Sequence, residues 1–204
     1  DRFACQVAYL DDHLDIAVLG AFARFIDEHG RPIRDMDHPV SHDGIDARNL
    51  EGGTALFHPT VMMRRDAVRS VGGYDPSFRN SEDLDLWLRM GERFKLANYP
   101  VVLLDYRVHS SSMSADSDVN IASNLRARQL AAKRRNLPEP VPIAPWRPAL
   151  DRKSQREIGL QWGWQAWTNG YRDTWRHYAL RAVADAPLSV AAWKLLIMGA
   201  IKRP

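Results

Sequence analysis

The 204-residue chain is long enough for one domain and an additional segment, and its 45% hydrophobic content indicates a folded core. Its single cysteine excludes an internal disulfide, and no apolar run reaches the ~18 residues of a membrane-spanning helix. Residues 1–119 carry 13 Lys and Arg against 20 Asp and Glu, whereas residues 120–204 carry 15 against 5, so the second part suggests an anionic partner.

The first elements follow from the spacing of apolar residues. This spacing predicts a helix over residues 2–12 and a buried strand over residues 16–22. Residues 27–50 are polar and predict a long loop with room for a short hairpin. Residues 54–63 form a second apolar stretch, and a short helix is predicted over 66–71.

An amphipathic helix is predicted over residues 82–92, because its leucines, Trp87 and a methionine recur at helical spacing. Trp87 is expected mainly to pack this helix. Two strands follow, over 94–98 and 101–108, separated by a turn at Pro100.

The last third of the chain is basic and rich in tryptophan. Residues 110–118 are of low complexity and predicted to be mobile, and residues 138–148 form a proline-rich linker. The predicted helices of this part span residues 119–136, 152–168, 171–185 and 188–200.

The adjacent carboxylates Glu82 and Asp83 are the first candidate for chemistry. A carboxylate held at a helix N-terminus can act as a general base on an attacking hydroxyl. Acidic residues in a first turn capped by Asn80 or Ser81 are also ordinary, so the residues alone leave both interpretations open.

Four segments around this pair occur in a characteristic order. They are HPTVMMRR at 58–65, VGGYDPSF at 71–78, EDLDLWLR at 82–89 and YRVH at 106–109. Their order and spacing resemble the carboxyl-terminal half of the family 2 glycosyltransferases, inverting enzymes that transfer a sugar from a nucleotide-sugar to an acceptor. The resemblance extends over about residues 1–115.

This resemblance implies an α/β fold. Residues 1–118 would form the acceptor-side half of a GT-A (Rossmann-like) core, and residues 119–204 an α-helical tail. Asp83 would be the catalytic base, with Glu82 as its neighbour near the acceptor. Gly52, Gly53 and Thr54 read as an ordinary turn on sequence alone, and the resemblance makes them a candidate substrate-binding loop.

Two residues at the end of the last predicted strand are further candidates. By resemblance, His109 would reach a divalent ion, Mn²⁺ or Mg²⁺, or the donor diphosphate; a hydrogen-bonded histidine at a strand end is the equal alternative. Arg107 would pair with the diphosphate or with a carboxylate such as Asp85, and the structural role is favoured. Arg89 is expected to form a structural ion pair.

The family holds its nucleotide and its metal-binding Asp-x-Asp motif in an amino-terminal half. Neither Asp11-Asp12 nor Asp35-Met36-Asp37 stands where that motif would be.

The sequence therefore predicts part of a parent enzyme, inactive alone, in bacterial envelope or exopolysaccharide synthesis. The donor would be an NDP-sugar, and the acceptor would be a glycan or a lipid-linked acceptor. The alternative is a non-catalytic module that binds membrane or protein. His58 is assigned no role.

Six of the seven tryptophans lie beyond residue 145. Aromatic and cationic residues on helices are typical of a membrane surface, but aromatic residues at helical spacing more often pack a core. We expect a cytoplasmic protein, with residues 119–204 able to meet the anionic inner face of the membrane. The basic cluster 133–135 lacks a nucleic-acid-binding motif, so no nucleic acid is expected.

Overall fold

The computed structural model describes residues 1–53, 55–108, 117–143 and 154–201. Within these ranges the fold is mixed α/β, as predicted. The helices are α1 Arg2–Asp12, α2 His42–Leu50, α3 Arg65–Ser70, α4 Glu82–Gly91, α5 Ser117–Arg135, α6 Gln155–Thr168, α7 Arg172–Asp185 and α8 Val190–Ile201. The strands are β1 Ile16–Ile26, β2 Pro32–Met36, β3 Met62–Met63 and β4 Lys95–Arg107, and a 3-10 helix spans His58–Thr60.

The strand β1 is the centre of the four-stranded sheet and pairs with β2, β3 and β4. Its pairing with β3 is antiparallel, with Val18 opposite Met63 and Leu19 opposite Met62. Almost every residue of β1 is buried, which explains the continuous apolar run in its sequence. The prediction of a buried strand here is confirmed.

The chain forms two compact units. The first contains the described residues of Asp1–Ala23, Asp37–Leu104 and Ser114–Trp146, and the second contains those of Arg24–Met36, Asp105–Met113 and Arg147–Pro204. The predicted division at residue 118 differs from this partition, because α5 belongs to the first unit.

In the first unit, the helix α4 packs against α2 and α5. Leu86, Trp87 and Met90 join one buried cluster that includes residues of β1, whereas Leu84 and Leu88 join another with residues of α5. Apolar contacts on two sides hold α4 in place, so the position of its first turn is well determined.

In the second unit, α6 packs against α7, α8 and β2. The fully buried Asp27 accepts a hydrogen bond from the Tyr178 hydroxyl (2.7 Å) and pairs with Arg31 (3.1 Å). Burial alone would raise the pKa of Asp27, but the hydrogen bonds from Tyr178 and Arg31 outweigh burial and keep the pKa below its usual value.

The short hairpin allowed for in residues 27–50 is present, since β2 pairs with β1, but the prediction that the rest is loop is wrong, because this region also contains α2. Ser41 caps α2 by accepting a hydrogen bond from the Gly44 N–H (3.3 Å). The helix buries only Ile45 and Asn49, which is too weak an apolar pattern to predict a helix.

The predicted turn at Pro100 is also wrong, because β4 runs without interruption through this residue. Pro100 is exposed, and a proline without an N–H is tolerated in a strand where no hydrogen bond is required of it. Among the described residues, no helix has both the length and the apolar composition to cross a bilayer.

Candidate functional site

The first turn of α4 carries the two candidate carboxylates, Glu82 and Asp83. The residue before it, Ser81, has a left-handed backbone (φ 59) and makes no side-chain capping hydrogen bond. Non-glycine residues adopt this conformation rarely, and it costs on the order of 1–3 kcal/mol. The carboxylates therefore do not belong to a helix start capped by the Ser81 side chain.

The side chain of Asp83 is about one third exposed and lies beside an imidazole. Its Oδ1 accepts a hydrogen bond from the Leu84 N–H (2.8 Å), and its Oδ2 lies 4.0 Å from Nδ1 of His58. The Nε2 of His58 is 2.9 Å from the hydroxyl of Tyr74. We call Asp83, His58 and Tyr74 the carboxylate cluster.

The 3-10 helix fixes the position of His58. Thr60 is fully buried, and its hydroxyl accepts a hydrogen bond from the Ala21 N–H of β1 (3.0 Å). The ring of His58 also meets the ring of Trp87 edge to face, with 5.9 Å between centroids. The strand expected in the segment 58–65 is present only as β3, which has two residues.

Arg89 holds the turn that carries Tyr74. Its guanidinium donates to the carbonyls of Val71 (2.6 Å) and Gly73 (2.7 Å) and pairs with the buried Asp85 (2.6 Å). The expected structural ion pair of Arg89 and the packing role of Trp87, which is 2% exposed, are confirmed.

Burial raises the pKa of Asp83 above that of an exposed aspartate. The Leu84 N–H and His58 act in the opposite direction, and Glu82 adds to the rise. The pKa of Tyr74 is also raised, by burial and by the charges of Asp83 and Glu82. Asp83 is consequently a stronger proton acceptor than an ordinary surface aspartate.

A cavity of about 130 Å³ lies beside Asp83. Gly52 and Gly53 line it together with Asp83, so three of the predicted site residues lie at one place. Gly52 has a left-handed backbone (φ 78), and a Cβ there would lie 2.7 Å from Oδ1 of Asn124. Only glycine fits at position 52 without a shift of its neighbours.

The other predicted site residues are placed as follows. Arg107, in the second unit, donates to the carbonyls of Asp27 (2.9 Å) and Glu28 (2.7 Å). Its suggested pairing with Asp85 is wrong, since Asp85 pairs with Arg89. Thr54 and His109 lie outside the described residues.

A metal centre does not emerge from the side chains that are described. Within the described ranges, no group of three or more His, Cys, Asp or Glu side chains is placed to hold a metal ion. The predicted ligand His109 lies outside these ranges, so the prediction of Mn²⁺ or Mg²⁺ stays a prediction.

Sequence reasoning missed His58 and Tyr74. Neither has a partner at a recognisable spacing along the chain, because His58 and Asp83 are 25 positions apart. The signal that could have identified them is their membership in the HPT and GGYD segments of the resemblance.

The chain is similar in sequence to bacterial glycosyltransferases, and this class of protein agrees with the mixed α/β fold. One relative is the O-antigen biosynthesis glycosyltransferase WbnJ of Escherichia coli, 35% identical over 101 residues (48% of this chain and 39% of that protein). Another is the putative glycosyltransferase EpsE of Bacillus subtilis, 33% identical over 140 residues (67% and 49%). The amylovoran biosynthesis glycosyltransferase AmsE of Erwinia amylovora is 32% identical over 115 residues (56% and 42%).

The chain thus spans about half or less of the length of these relatives. No protein-family model matches it.

Proposed function

We propose that this chain provides the acceptor side of an inverting family 2 glycosyltransferase with a GT-A core, acting in the assembly of bacterial envelope polysaccharide. The observation that carries the proposal is the position of Asp83, a carboxylate of raised pKa at the edge of a cavity that Gly52 and Gly53 also line. Similarity to two glycosyltransferases named for O-antigen and amylovoran biosynthesis supports it.

In this mechanism Asp83 removes the proton of the acceptor hydroxyl. The hydroxyl oxygen forms a bond to the anomeric carbon of an NDP-sugar, while the bond from that carbon to the diphosphate oxygen breaks. Attack from the face opposite the diphosphate inverts the configuration. His58 orients the carboxylate, while burial, with a smaller contribution from Glu82, keeps the pKa of Asp83 raised. The resemblance supports a further role for Mn²⁺ or Mg²⁺, with His109 as a ligand; such an ion would stabilise the departing diphosphate.

The proposal is tested by the stereochemistry of transfer. The protein in its full-length form is incubated with α-linked UDP-, GDP- and dTDP-sugars and with lipid-linked acceptors. The expected product has a β linkage, which the anomeric proton coupling in an NMR spectrum identifies. Retention of configuration, or hydrolysis of the donor without transfer, contradicts the proposal.

The rate of transfer should fall in acid, because Asp83 accepts a proton only in its ionised form. Since its pKa is raised, the fall should begin at a higher pH than an exposed aspartate would give. His58 lowers the pKa of Asp83 and so offsets part of the increase caused by burial. We therefore expect His58→Gln to move the acidic limb of the kcat–pH profile to higher pH.

His29→Gln serves as the matched control, because His29 is an exposed histidine of the second unit. Its profile should superimpose on that of the wild type. If His58→Gln left the limb where it is, His58 would have no influence on the base.

We also propose that the helix α8 attaches the protein to an anionic membrane surface. Val190, Trp193, Ile197 and Ile201 follow one another at helical spacing, and all four are exposed. Ala192 and Leu195 on the other side of the helix are buried. An apolar face on a chain segment with excess Lys and Arg is typical of peripheral membrane binding.

Most tail tryptophans with described side chains pack within the second unit. Trp162 meets the Tyr178 ring, Trp164 and Trp167 meet each other, and Trp175 donates to the Leu195 carbonyl. The membrane proposal therefore rests on α8 and not on the tryptophan stripe.

The protein should co-sediment with vesicles containing phosphatidylserine at low salt, and less so at high salt. Each engaged Lys or Arg contributes about 1 kcal/mol, which added salt screens. The double variant Val190→Ser, Ile197→Ser should lower the bound fraction severalfold. Leu14→Ser, which changes an exposed leucine of the first unit, is the control and should bind as the wild type does. If the double variant bound vesicles as strongly as the wild type does, α8 would be excluded as the membrane anchor.

A further inference from the structure

The chain turns back on itself directly after α5. Asn136 has a left-handed backbone (φ 53), and the Leu137 N–H donates to the Ala132 carbonyl (2.9 Å), so the helix ends here. Residues 137–143, which we call the strap, carry a proline at positions 138, 140 and 142 and are therefore stiff and extended. The sequence predicts a linker over this segment, whereas the structure assigns the strap to the first unit.

The side chain of Arg128 connects α5 to the strap and to the end of α2. Arg128 is 5% exposed, its Nε donates to the Leu50 carbonyl (2.7 Å), and its Nη1 donates to the Val141 carbonyl of the strap (2.9 Å). Gln129 also donates to Glu139 (2.9 Å), so the strap runs antiparallel to α5. A guanidinium has several donors in a fixed fork and can bridge two carbonyls, whereas the ammonium of a lysine is a single point.

The charge of Arg128 is not held by an ion pair. Among the described residues no Asp or Glu pairs with it, and burial lowers the pKa of its guanidinium. Leu50 is the last residue of α2, where the negative end of the helix dipole favours a cation. The two carbonyls therefore account for the position of this buried cation.

Contacts from α5 and from the strap converge on the turn that follows α2. Nδ2 of Asn124 donates to the Gly52 carbonyl (3.1 Å). Cδ1 of Ile143, at the end of the strap, lies 2.5 Å from the point where a Cβ on Gly52 would be, so Ile143 packs directly on this glycine. Since Gly52, Gly53 and Asp83 line one cavity, a shift of the turn would change the shape of the cavity beside Asp83.

We propose that Arg128 is a positioning residue for glycosyl transfer, because it holds the strap against the Gly52 turn and thereby fixes the cavity beside Asp83. This restraint adds to the hydrogen bonds of the turn itself, in which the N–H groups of Gly52 and Gly53 donate to the carbonyls of Asn49 and Arg48 (both 2.9 Å). The inference rests on the proposed function and extends it to a side chain and a segment outside the lining of the cavity.

The first test is independent of activity and uses amide hydrogen exchange of the full-length protein, followed by NMR. Arg128→Met removes the donors, and Ile143→Ala removes most of the side chain that packs on Gly52. Either change should accelerate exchange at Gly52 and Gly53 about tenfold, the effect of one lost contact on local opening. Exchange in β1 should rise much less, whereas a general loss of stability would accelerate both by the same factor.

The second test is kinetic and measures the rate for each folded molecule. Arg128→Met should lower kcat about ten- to a hundredfold, because a displacement of about 1 Å near the reacting groups has effects of this size. The KM for the donor should change little. The acidic limb of the kcat–pH profile should stay in place, because Arg128 is not among the main influences on the pKa of Asp83.

Two further variants test whether Arg128 acts through the strap. Arg128→Lys keeps the charge but reaches only one of the two carbonyls, so it should recover only part of the rate. Arg128→Met combined with Ile143→Ala should be no slower than Arg128→Met alone, because both changes release the same segment. If Arg128→Met does not fold, Ile143→Ala alone should still slow transfer and accelerate exchange at Gly52.

Two matched controls should behave as the wild type does in both tests. Arg134→Met removes another cation of α5, which pairs with Glu92 (2.7 Å) and not with the turn or the strap. Val141→Ala changes a side chain of the strap that is 70% exposed and retains the carbonyl that Arg128 binds. Equal effects of Arg134→Met and Arg128→Met, or unchanged exchange at Gly52 in Arg128→Met and Ile143→Ala, overturn the proposal.

Failure of this inference can be told apart from failure of the proposed function. If the wild type transfers a sugar and both variants keep its kcat, the enzyme assignment stands and the positioning role of Arg128 is wrong. If the wild type transfers no sugar, the assignment of activity fails and the role of Arg128 in transfer fails with it, whereas the exchange rates still show whether the strap holds the turn.

Discussion

Asp83→Asn should lower the turnover of glycosyl transfer by about two to four orders of magnitude, the range expected when a general base is lost. The amide keeps the size of the side chain but cannot take a proton from the acceptor hydroxyl. The affinity for the NDP-sugar should change little, because Asp83 is proposed to act on the acceptor and not on the donor. The measurement is a steady-state assay of kcat and of KM for the donor.

Asp66→Asn is the matched control, since Asp66 also lies in the first turn of a helix but is exposed. It should turn over at the wild-type rate. A rate for Asp83→Asn within a few-fold of wild type would remove Asp83 from the role of base, and a loss of donor affinity equal to the loss of turnover would place it at the donor.

Arg89→Met should lower the free energy of unfolding by about 3–5 kcal/mol, because it leaves a buried carboxylate without its partner. The side chains of Arg89 and Asp85 are only 18% and 3% exposed. The substitution also leaves the carbonyls of Val71 and Gly73 without the guanidinium. Urea unfolding followed by circular dichroism measures the change.

Two comparison variants separate the buried charge from the loss of side-chain volume. Lys95→Met breaks the exposed pair of Lys95 with Asp15 and should have little effect on stability. Asp85→Leu combined with Arg89→Met removes both charges and should be less destabilising than Arg89→Met alone. If Lys95→Met and Arg89→Met cost the same, the buried pair does not stabilise the fold.

The elements with the most buried residues were predicted from their strong apolar patterns. The strand β1 and the helix α4 were both evident, because nearly every residue of β1 and six residues of α4 are buried. The helix α2 was missed, because its two large apolar side chains, Ile45 and Leu50, are a weak signal in nine residues. Pro100 suggested a turn, but its local preference was overridden by the pairing of β4 with β1.

The candidate site was predictable only in part, and for a physical reason. Asp83, Gly52 and Gly53 were identified from motifs, and the structure brings them to one cavity. Asn49 and Asn124, which also line this cavity, could not be identified, because the packing of α2, α4 and α5 brings them there and no local pattern marks them. The role of Arg107 and those of Thr54 and His109 in binding substrate or metal stay predictions.

The base and the glycine turn are held by different parts of the chain, and this separation has an evolutionary consequence. The helix that carries Asp83 is anchored by core leucines, whereas the turn at Gly52 is fixed mainly by its own backbone and by Asn124. A change at position 124 can reshape the cavity without displacing the carboxylate, whereas position 52 has to remain glycine. Related proteins should therefore vary at position 124 while the glycine and the aspartate are inherited unchanged.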